Sequence, residues 1–346
     1  MPEKPVSPLK VGVVGCGGVA QIIHLPILKK MAEVDIVAVS DIDIRKATII
    51  ANRFKVPNIF DDIEEMFRRC ELDAAFILTP NNMHLPMSLI ALQRGAHLFI
   101  EKPAARTSSE AQQIAAAARK YRRHVMVGMH TRFRRDIQAM KTVIDRKILG
   151  DIFFLKSEWL QAKFQAIKQP WLLSKNIAGG GVLLDLGIQM IDTSWWLANK
   201  PQIESVKAHT QQINTGLEVE DFLSCYLKFS GNIKMDFLMS WNFPIASDRF
   251  HGEIYGSNGS INLNPYRVER IWQGKAIDAT PEEFQRKRSN IFKLAYQDEI
   301  GHFINFLLGK TPELASSIDE AAAVLSITDA VYESLRTNHE IQMRPV

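Results

Sequence analysis

The stretch KVGVVGCGGVA, residues 10–20, decides the fold of the first part of the chain. A β-branched run leads directly into the spacing G-x-G-x-x-A, and a helical pattern follows it. In this spacing the first glycine permits a tight turn, the second lets the backbone approach a pyrophosphate, and the small third residue allows close helix packing. The free N–H groups at the helix N-terminus then attract the anion. The turn residues expected at such a ligand are Gly15, Gly17, Gly18, Val19 and Ala20.

Short apolar runs alternate with helical patterns through the first 130 residues. Runs without polar alternation indicate strands covered on both faces, and their alternation with helices favours a parallel, doubly wound Rossmann sheet. Thr107 and Glu110 form a T-x-x-E capping box, and Gly95 stands where a helix from about residue 84 should end. The predicted strands cover residues 10–15, 34–41, 73–80, 96–103 and 124–130.

The pattern changes after residue 150. Longer runs with partial alternation, some of them separated by glycine turns, predict a large, open and mostly antiparallel sheet. These runs are DIFFLKSEWLQ, IESVKAHTQQ, EDFLSCYLKFS, NIKMDFLMSW and RFHGEIYG. Two helical patterns follow between about residues 294 and 336. At roughly 150 residues per domain, the length favours two domains. We expect a Rossmann domain over 1–130 and an α+β domain for substrate binding and oligomerisation over 131–346, with the closing helices as candidates for packing on the first.

Composition narrows the classes of protein. A net charge of +4 on 346 residues argues against nucleic-acid binding, for which a strongly basic domain is usual. Cys16, Cys70 and Cys225 lack C-x-x-C spacing, so neither a disulfide framework nor a cysteine metal site is indicated. No run reaches the roughly 18 apolar residues of a membrane span, and the N-terminus lacks the apolar core of a signal peptide. We therefore expect a cytoplasmic protein that binds neither membrane nor metal.

A carboxylate ends the second predicted strand. Asp41 lies 26 residues after Gly15, where it can accept hydrogen bonds from the adenosine ribose, and this favours NAD. Arg45 is close enough in sequence to hold a 2′-phosphate, so NADP is the alternative. A turn or helix-capping role for Asp41 also fits the pattern.

Polar residues cluster where three predicted strands end, which is where ligands bind in open α/β sheets. IEKPA, at 100–104, places a lysine there, and the following proline holds that lysine extended. His24 lies early in the first helical region and is near the same ligand by this logic. The non-functional alternative is that the lysine is only solvated and that the histidines serve in packing. The candidates along this edge are Thr79, Pro80, Asn81, His84, Glu101, Lys102 and His130.

The stretch GGGVLLDLGIQMIDTSWWL, residues 179–197, is the main helical pattern within the second part. Asp185, Gln189 and Asp192 recur at offsets of four and seven, which places them on one helix face. The non-functional interpretation is a buried helix whose polar side chains form hydrogen bonds with backbone groups. Asp185 and Asp192 are two turns apart with no His or Cys at ligand spacing, so they do not indicate a metal site.

Taken in order, the G-x-G-x-x-A turn, Asp41, TPNNMH, the Glu101-Lys102-Pro103 motif and GGGVLLDLGIQMID resemble the Gfo/Idh/MocA oxidoreductases, the group around glucose-fructose oxidoreductase and inositol dehydrogenase. The resemblance implies an NAD(P)-binding Rossmann domain and a second domain whose open sheet forms a homodimer or homotetramer. It implies hydride transfer to or from a sugar, polyol or related hydroxy or carbonyl compound. The family's catalytic lysine falls on Lys102, and its aspartate falls on Asp185.

The family's histidine falls on Gln189, whose amide forms hydrogen bonds but does not titrate in the working range. Alcohol oxidation releases a proton that some group must accept. Lys102 would serve if burial lowers its pKa, and His130 or His84 would serve from a strand end. Two alternatives remain: a reaction whose proton comes from water or from the substrate itself, and a catalytically silent NAD(P)-binding regulatory or interaction protein on the same fold. The residues expected around a sugar-like substrate are Lys102, Arg132, Asp185, Gln189 and Asp192.

Overall fold

The computed structural model describes residues 7–162, 169–284 and 291–343. The chain divides into two units. Unit 1 comprises Met1–His130 and Phe292–Ala322, and unit 2 comprises Thr131–Ile291 and Ala323–Val346.

Unit 1 contains a six-stranded parallel sheet in the order β3-β2-β1-β4-β5-β6. Its strands are β1 (Leu9–Val14), β2 (Val34–Ser40), β3 (Asn58–Phe60), β4 (Ala74–Ile77), β5 (His97–Glu101) and β6 (Val125–Gly128). The helices between them are α1 (Leu25–Leu28), α2 (Ile44–Phe54), α3 (Ile63–Arg69), α4 (His84–Gln93) and α5 (Ser108–Tyr121). All residues of β4 and β6 are buried, as in strands covered on both faces. The strand order reverses between β1 and β4, so the carboxyl ends there form the expected ligand-binding crevice.

The predicted Rossmann sheet is confirmed, and the structure adds the short edge strand β3. The capping box at α5 is only half formed. Thr107 Oγ1 accepts the Glu110 backbone N–H at 3.3 Å, but Glu110 reaches one residue further back, to the Arg106 N–H at 2.9 Å. The Arg106 guanidinium also donates to Glu110, at 3.1 Å from Nε, and this pairing accounts for the shift.

Unit 2 contains a nine-stranded sheet in the order β14-β13-β12-β11-β7-β10-β9-β8-β15. The strands are β7 (Ile152–Ala162), β8 (Ile203–Thr210), β9 (Phe222–Phe229), β10 (Ile233–Phe243), β11 (Arg249–Gly256), β12 (Gly259–Leu263), β13 (Arg267–Trp272), β14 (Lys275–Asp278) and β15 (Ile341–Gln342). Every neighbouring pair is antiparallel except β7 with β10, which confirms a mostly antiparallel sheet. The pattern in the sequence did not predict β12–β15, because short or largely exposed strands lack a regular apolar alternation.

Burial alternates along the central strands of this sheet. In β9, Cys225 and Leu227 are buried while Tyr226 and Lys228 between them are exposed. The sheet is therefore covered on one face.

The remaining helices are α6 (Arg135–Asp145), α7 (Lys175–Ala178), α8 (Ile188–Leu197), α9 (Ile291–Leu307) and α10 (Ile318–Thr337). Almost all of α9 belongs to unit 1. Phe303 of α9 packs edge-on against Phe76 and Phe99 of β4 and β5, with ring centroids 5.8 and 5.7 Å apart. A segment from the end of the chain thus completes the aromatic core of unit 1.

Candidate functional site

The turn after β1 depends on Gly15. Its φ of +95° is unfavourable for other residues, and its N–H donates to the Ser40 carbonyl at 2.7 Å. A Cβ at this position would lie 2.7 Å from the Leu78 carbonyl oxygen. Gly15 is therefore required both for its backbone conformation and for the close approach of β1 to the end of β4.

The next two glycines face open space. A Cβ on Gly17 or Gly18 would meet no protein atom within 4 Å in the described chain. A π-helical turn, Ala20–His24, begins directly afterwards with Ala20 buried and no side chain capping its N-terminus. Uncapped helical N–H groups beside side-chain-free backbone fit the pyrophosphate of a dinucleotide.

Asp41 connects the first two loops of unit 1. Its Oδ2 accepts the Cys16 backbone N–H at 2.8 Å, and its Oδ1 accepts the Asp43 N–H at 3.0 Å. Lys46, a residue that the sequence did not single out, forms an ion pair with Asp41 Oδ1 at 2.9 Å. Burial, together with the charge of Asp41, raises the pKa of the Cys16 thiol to about 12. The Asp41 carboxylate thus lies beside the glycine turn after β1, with a cation next to it.

The loop after β4 carries buried polar atoms that suit a ligand. Thr79 Oγ1 and Asn82 Oδ1 are buried and find no hydrogen-bond partner within the described residues. Asn81 is 3% exposed. Buried polar atoms are normally paired, so two unsatisfied oxygens at the carboxyl end of β4 fit an arriving group that donates hydrogen bonds.

His84 binds two backbone carbonyls. Its Nδ1 lies 2.7 Å from the Pro103 oxygen, and its Nε2 lies 2.8 Å from the Thr79 oxygen. Burial lowers the pKa of His84, although both carbonyls act in the opposite direction. The side chain therefore ties the loop after β4 to the segment after β5.

The end of β5 holds an ionised carboxylate next to Lys102. Glu101 Oε1 lies 2.7 Å from His24 Nε2, and Glu101 Oε2 accepts the Lys102 backbone N–H at 3.1 Å. Burial acts to raise the pKa of Glu101, but the hydrogen bond and charge of His24, with the charges of His130 and Lys102, lower it overall. His24 and Glu101 together fix the backbone from which the Lys102 side chain extends.

His130 follows β6 and is 5% exposed. Its ring stacks on Tyr296 of α9 with centroids 4.2 Å apart and an interplanar angle of 16°. Tyr296 also meets His24 edge-on at 6.3 Å. Two of the histidines noted in the sequence thus share one aromatic neighbour in unit 1.

In unit 2, two of the three glycines before α8 make room for protein atoms. Gly179 has φ +87° and ends α7, whereas a Cβ on Gly180 would collide with the Tyr332 hydroxyl. A Cβ on Gly181 would collide with the Glu220 carbonyl oxygen. The glycines therefore allow the start of the helix to pack closely against two other segments.

Glu220 caps this helix start from a distant loop. Its carboxylate accepts the N–H groups of Gly181 and Leu183 at 3.0 and 3.1 Å, and the Tyr332 hydroxyl donates to it at 2.9 Å. Burial raises the pKa of Glu220 despite these hydrogen bonds. The first turn, Leu183–Gly187, is π-helical, a form that is frequent at functional sites.

Asp185 and Gln189 each have a partner within unit 2. Trp241 Nε1 donates to Asp185 Oδ2 at 2.9 Å. The Thr131 hydroxyl donates to Gln189 Oε1 at 3.1 Å, and Gln189 Nε2 donates to the Asp185 carbonyl at 3.3 Å. The amide of Gln189 therefore has a fixed orientation, with one N–H of its NH₂ group outside these bonds.

Arg132 and Asp192 form a buried, two-bonded ion pair. Arg132 Nε donates to Asp192 Oδ2 at 2.7 Å, and Nη2 donates to Oδ1 at 2.6 Å. The two side chains are 3% and 2% exposed. Both carboxylate oxygens of Asp192 are thus engaged by the guanidinium.

The sequence did not indicate several of these residues as candidates for the site. Thr131 and Trp241 lie 58 and 56 residues from the side chains that they bind, and no local signal connects them. Lys46 lies five residues after Asp41, and the N-cap residue of α2, Asp43, lies between them. The opposite charges on the two sides of this cap are the signal that could have identified Lys46. The missed residues are Lys46, Thr131, Glu220, Trp241 and Tyr332.

In residues 7–162, 169–284 and 291–343, no three or more His, Cys, Asp or Glu side chains are grouped so that they could hold a metal ion. Across the same ranges, no helix combines the length and apolar character needed to span a membrane.

A parallel sheet with a glycine turn open to an anion, followed by polar strand ends, defines unit 1 as a dinucleotide-binding Rossmann unit. Residues 9–129 match the model of the oxidoreductase family with an NAD-binding Rossmann fold, and residues 137–262 match the GFO/IDH/MocA C-terminal domain. The chain belongs to the Gfo/Idh/MocA oxidoreductase family.

Relatives cover nearly the whole length of the chain. D-Glucoside 3-dehydrogenase of Escherichia coli K12 is 24% identical, over 97% of this chain and 98% of the relative. The rhizopine catabolism protein MocA of Rhizobium meliloti is 27% identical, over 94% and 95%.

Solved structures share the fold. GenD2 from gentamicin A biosynthesis, in complex with NAD, has a TM-score of 0.85 at 24% identity and covers 98% of this chain and 97% of its own. Levoglucosan dehydrogenase, in complex with NADH and levoglucosan, has a TM-score of 0.84 at 21% identity, with coverages of 98% and 100%.

Proposed function

We propose that this protein is an NAD-dependent dehydrogenase or reductase that acts on a CH–OH group of a sugar, polyol or related compound. The observation that carries the proposal is the glycine turn of unit 1, open at Gly17 and Gly18, in the same unit as the Glu101–Lys102 strand end. The sugar class is supported by the relative named as a D-glucoside 3-dehydrogenase and by the dehydrogenase bound to NADH and levoglucosan.

Each catalytic residue has a proposed role. Bound NAD supplies the hydride acceptor. Lys102 donates a hydrogen bond to the reacting oxygen and stabilises the alkoxide charge that develops there. Asp185, held by Trp241, accepts from a substrate hydroxyl, and the second N–H of Gln189 orients another hydroxyl without moving a proton.

We propose His130 as the residue that accepts the hydroxyl proton. An imidazole titrates near neutral pH, which suits general base catalysis. His84 is the weaker choice, because both of its ring nitrogens lie against backbone carbonyls. Its proposed role is to position the loops that hold the cofactor.

Arg132 and Asp192 are proposed to border the substrate as a pair. Because both carboxylate oxygens of Asp192 accept hydrogen bonds from the guanidinium, the proposed contribution of Asp192 is to hold Arg132 in place. Arg132 also lies over the Trp196 ring, 5.8 Å from its centroid.

For the cofactor, we propose NAD rather than NADP. Asp41 at the end of β2 suits the two ribose hydroxyls and repels a 2′-phosphate. Lys46, paired with Asp41 at 2.9 Å, and the neighbouring Arg45 are the residues that would admit NADP. Titration of the protein with NADH and NADPH, followed by nicotinamide fluorescence, measures the preference directly.

The function is tested by turnover. Purified protein with NAD is screened against sugars and polyols by nicotinamide absorbance, and the expected result is activity that Lys102→Ala lowers by about 10²-fold or more. Lys30→Ala, which removes an exposed lysine of the same unit, is the matched control and should keep full activity.

Activity that survives Lys102→Ala would remove the proposed mechanism. Tight NADH binding without turnover on any compound would instead favour the regulatory alternative that Gln189 leaves open.

Assembly and compartment are proposed on separate grounds. The outward face of the nine-stranded sheet carries apolar side chains such as Phe154 and Tyr226 among charged residues. We propose that this face pairs with another copy of the chain in a homodimer or homotetramer. All three cysteines are free, which suits the reducing cytoplasm, the proposed compartment.

A further inference from the structure

The inner face of the unit 2 sheet has a shallow depression, the dent, where Ser157 of β7 lies opposite Gly252 of β11. Strands β7 and β11 pair in antiparallel register, and three successive inward pairs are Trp159 with Phe250, Ser157 with Gly252, and Leu155 with Ile254. The middle pair is the smallest residue combination of the three. Between one aromatic pair and one branched aliphatic pair, the side chains of Ser157 and Gly252 leave space unfilled.

Helix α8 supplies the opposite wall of this space. Gln189, Thr193 and Leu197, at offsets of four and eight, line the cavity with Ser157 and Gly252. Thr193 is 7% exposed, and its hydroxyl has no hydrogen-bond partner among the residues the structure describes. A buried, unsatisfied hydroxyl in a cavity wall indicates a polar ligand atom.

The charges around the cavity are already neutralised. Arg134, which lies over the Phe250 ring at 5.0 Å, is held by both oxygens of Asp136 at 3.1 and 2.6 Å. The charged residues of the lining, Lys156 and Glu253, are paired across β7 and β11 at positions of the outward face of the sheet. Lys156 also forms an ion pair with Glu158 at 3.2 Å. The cavity therefore suits an uncharged group rather than a phosphate or carboxylate.

The walls combine aromatic rings and hydroxyls. Trp159 and Phe250 lie 4.8 Å apart at an interplanar angle of 56°, and both are only partly buried. Flat aromatic surfaces pack against the C–H face of a sugar, while Thr193 and the second N–H of Gln189 can bind a hydroxyl. The side chains of Ser157 and Gly252 together have only a few heavy atoms fewer than those of the neighbouring pair, Leu155 and Ile254. The ligand group that fills the missing volume is therefore small.

We propose that this cavity is a substrate subsite for the exocyclic hydroxymethyl group of a hexose, and that it makes the protein prefer hexosides to pentosides. The inference rests on the proposed function, since Gln189 is shared with the proposed substrate contacts. A hydroxymethyl group adds two heavy atoms, one apolar and one able to satisfy Thr193. A pentoside leaves the dent empty and the Thr193 hydroxyl unsatisfied.

The test compares methyl β-D-glucoside with methyl β-D-xyloside, which differ only in the hydroxymethyl group. We expect kcat/KM for the glucoside to exceed that for the xyloside by about tenfold or more. Gly252→Val fills the dent. A Cβ there meets its nearest neighbours only at 3.7 to 3.8 Å, so the variant should fold. It should abolish the glucoside preference while leaving xyloside turnover near its original value.

Two further variants sharpen the comparison. Thr193→Val removes the hydroxyl without changing the shape of the side chain, and it should weaken glucoside use alone. Gly216→Val, in an exposed loop of unit 2 where a Cβ has room, is the matched control and should alter neither substrate. If Gly252→Val fails to fold, the Thr193→Val result decides.

Failure of the subsite differs from failure of the proposed function. Equal turnover of both glycosides, unchanged in Gly252→Val or Thr193→Val, overturns the subsite while the dehydrogenase function stands. If neither glycoside is oxidised, calorimetric titration of the NADH-loaded protein decides. Tighter glucoside binding that Gly252→Val removes supports the subsite alone, and equal or undetectable binding of the two glycosides overturns it.

Discussion

At the residue scale, the glycines of the turn after β1 serve different purposes. Gly15 has φ +95° and lies against the backbone at Leu78, so its lack of a side chain is required by the protein itself. Gly17 has no such neighbour in the described chain, and we propose that a bound dinucleotide, rather than folding, requires its lack of a side chain.

The two roles predict opposite results for the same substitution. Gly15→Ala should lower the free energy of unfolding by about 2 kcal/mol or more, because a Cβ there is strained and obstructed. Gly17→Ala should leave the unfolding midpoint unchanged but weaken NADH binding. Thermal unfolding and NADH fluorescence titration separate the two effects, and equal stability losses in both variants would contradict this division.

His130 supplies a second prediction at this scale. If it accepts the substrate proton, His130→Gln should lower kcat by about 10²-fold, the usual contribution of a general base, while NADH affinity changes little. Tyr296→Leu, which removes the ring stacked on His130 but keeps the histidine, tests whether a loss arises from packing alone. His209→Gln removes an exposed histidine and should have no effect. An unchanged kcat in His130→Gln would mean that a group other than His130 accepts the substrate proton.

At the element scale, the start of the polar helix depends on a cap from another loop. Glu220 satisfies two backbone N–H groups and receives the Tyr332 hydroxyl, all within 3.1 Å. The offsets of Asp185, Gln189 and Asp192 predicted one polar helix face. The structure adds that the helical segment begins with a π-helical turn and that each of the three residues has a different side-chain partner.

Removing the cap should destabilise unit 2. Glu220→Ala leaves buried N–H groups unsatisfied, so we expect a loss of about 2 kcal/mol in the free energy of unfolding, measured by urea denaturation. Glu218→Ala is the matched control, because the exposed Glu218 accepts a single N–H, from Lys175 at 3.2 Å. Similar losses for both variants would contradict the capping role.

The pairing of β5 with β6 should depend on pH. His97 Nδ1 accepts the His124 backbone N–H at 3.0 Å and must be unprotonated to do so. Burial, with the charges of His124 and Arg123, lowers the pKa of His97 from 6.5 to about 4. The unfolded chain therefore binds a proton at a higher pH than the folded one. Stability due to His97 is complete above pH 6.5 and is lost as the pH falls towards 4.

This linkage is measurable by urea unfolding at pH 7 and pH 5. The parent protein should lose more stability between these values than His97→Gln does, by about 1 kcal/mol once the partial exposure of the ring is allowed for. An identical pH dependence in both proteins would mean that the histidine titrates alike in the folded and unfolded chain.

At the scale of the whole molecule, the outward face of the unit 2 sheet bears on assembly. Lys156, Asp236 and Tyr226 lie side by side on β7, β10 and β9, and Leu238 lies two residues further along β10. We propose that the partly exposed apolar residues of this face contact a second copy of the chain.

Sedimentation should show a dimer or tetramer. The double substitution Tyr226→Glu and Leu238→Glu should shift the protein towards monomer by burying unpaired charge in the contact. Ile49→Glu, at an exposed apolar residue of α2 in unit 1, is the control and should leave the assembly intact. A parent protein that sediments as a monomer would remove the proposal.

The sequence by itself determined the class of fold, the dinucleotide turn and the strand-end candidates. Glycine spacing and apolar periodicity act through a residue's own backbone and its near neighbours, so they can be recognised without coordinates. Only the tertiary structure decided that Gln189 binds Thr131, that Asp185 binds Trp241, and that Ser157 faces Gly252 across two strands. These contacts join residues more than fifty positions apart, and they depend on strand register and helix placement, which no local pattern encodes.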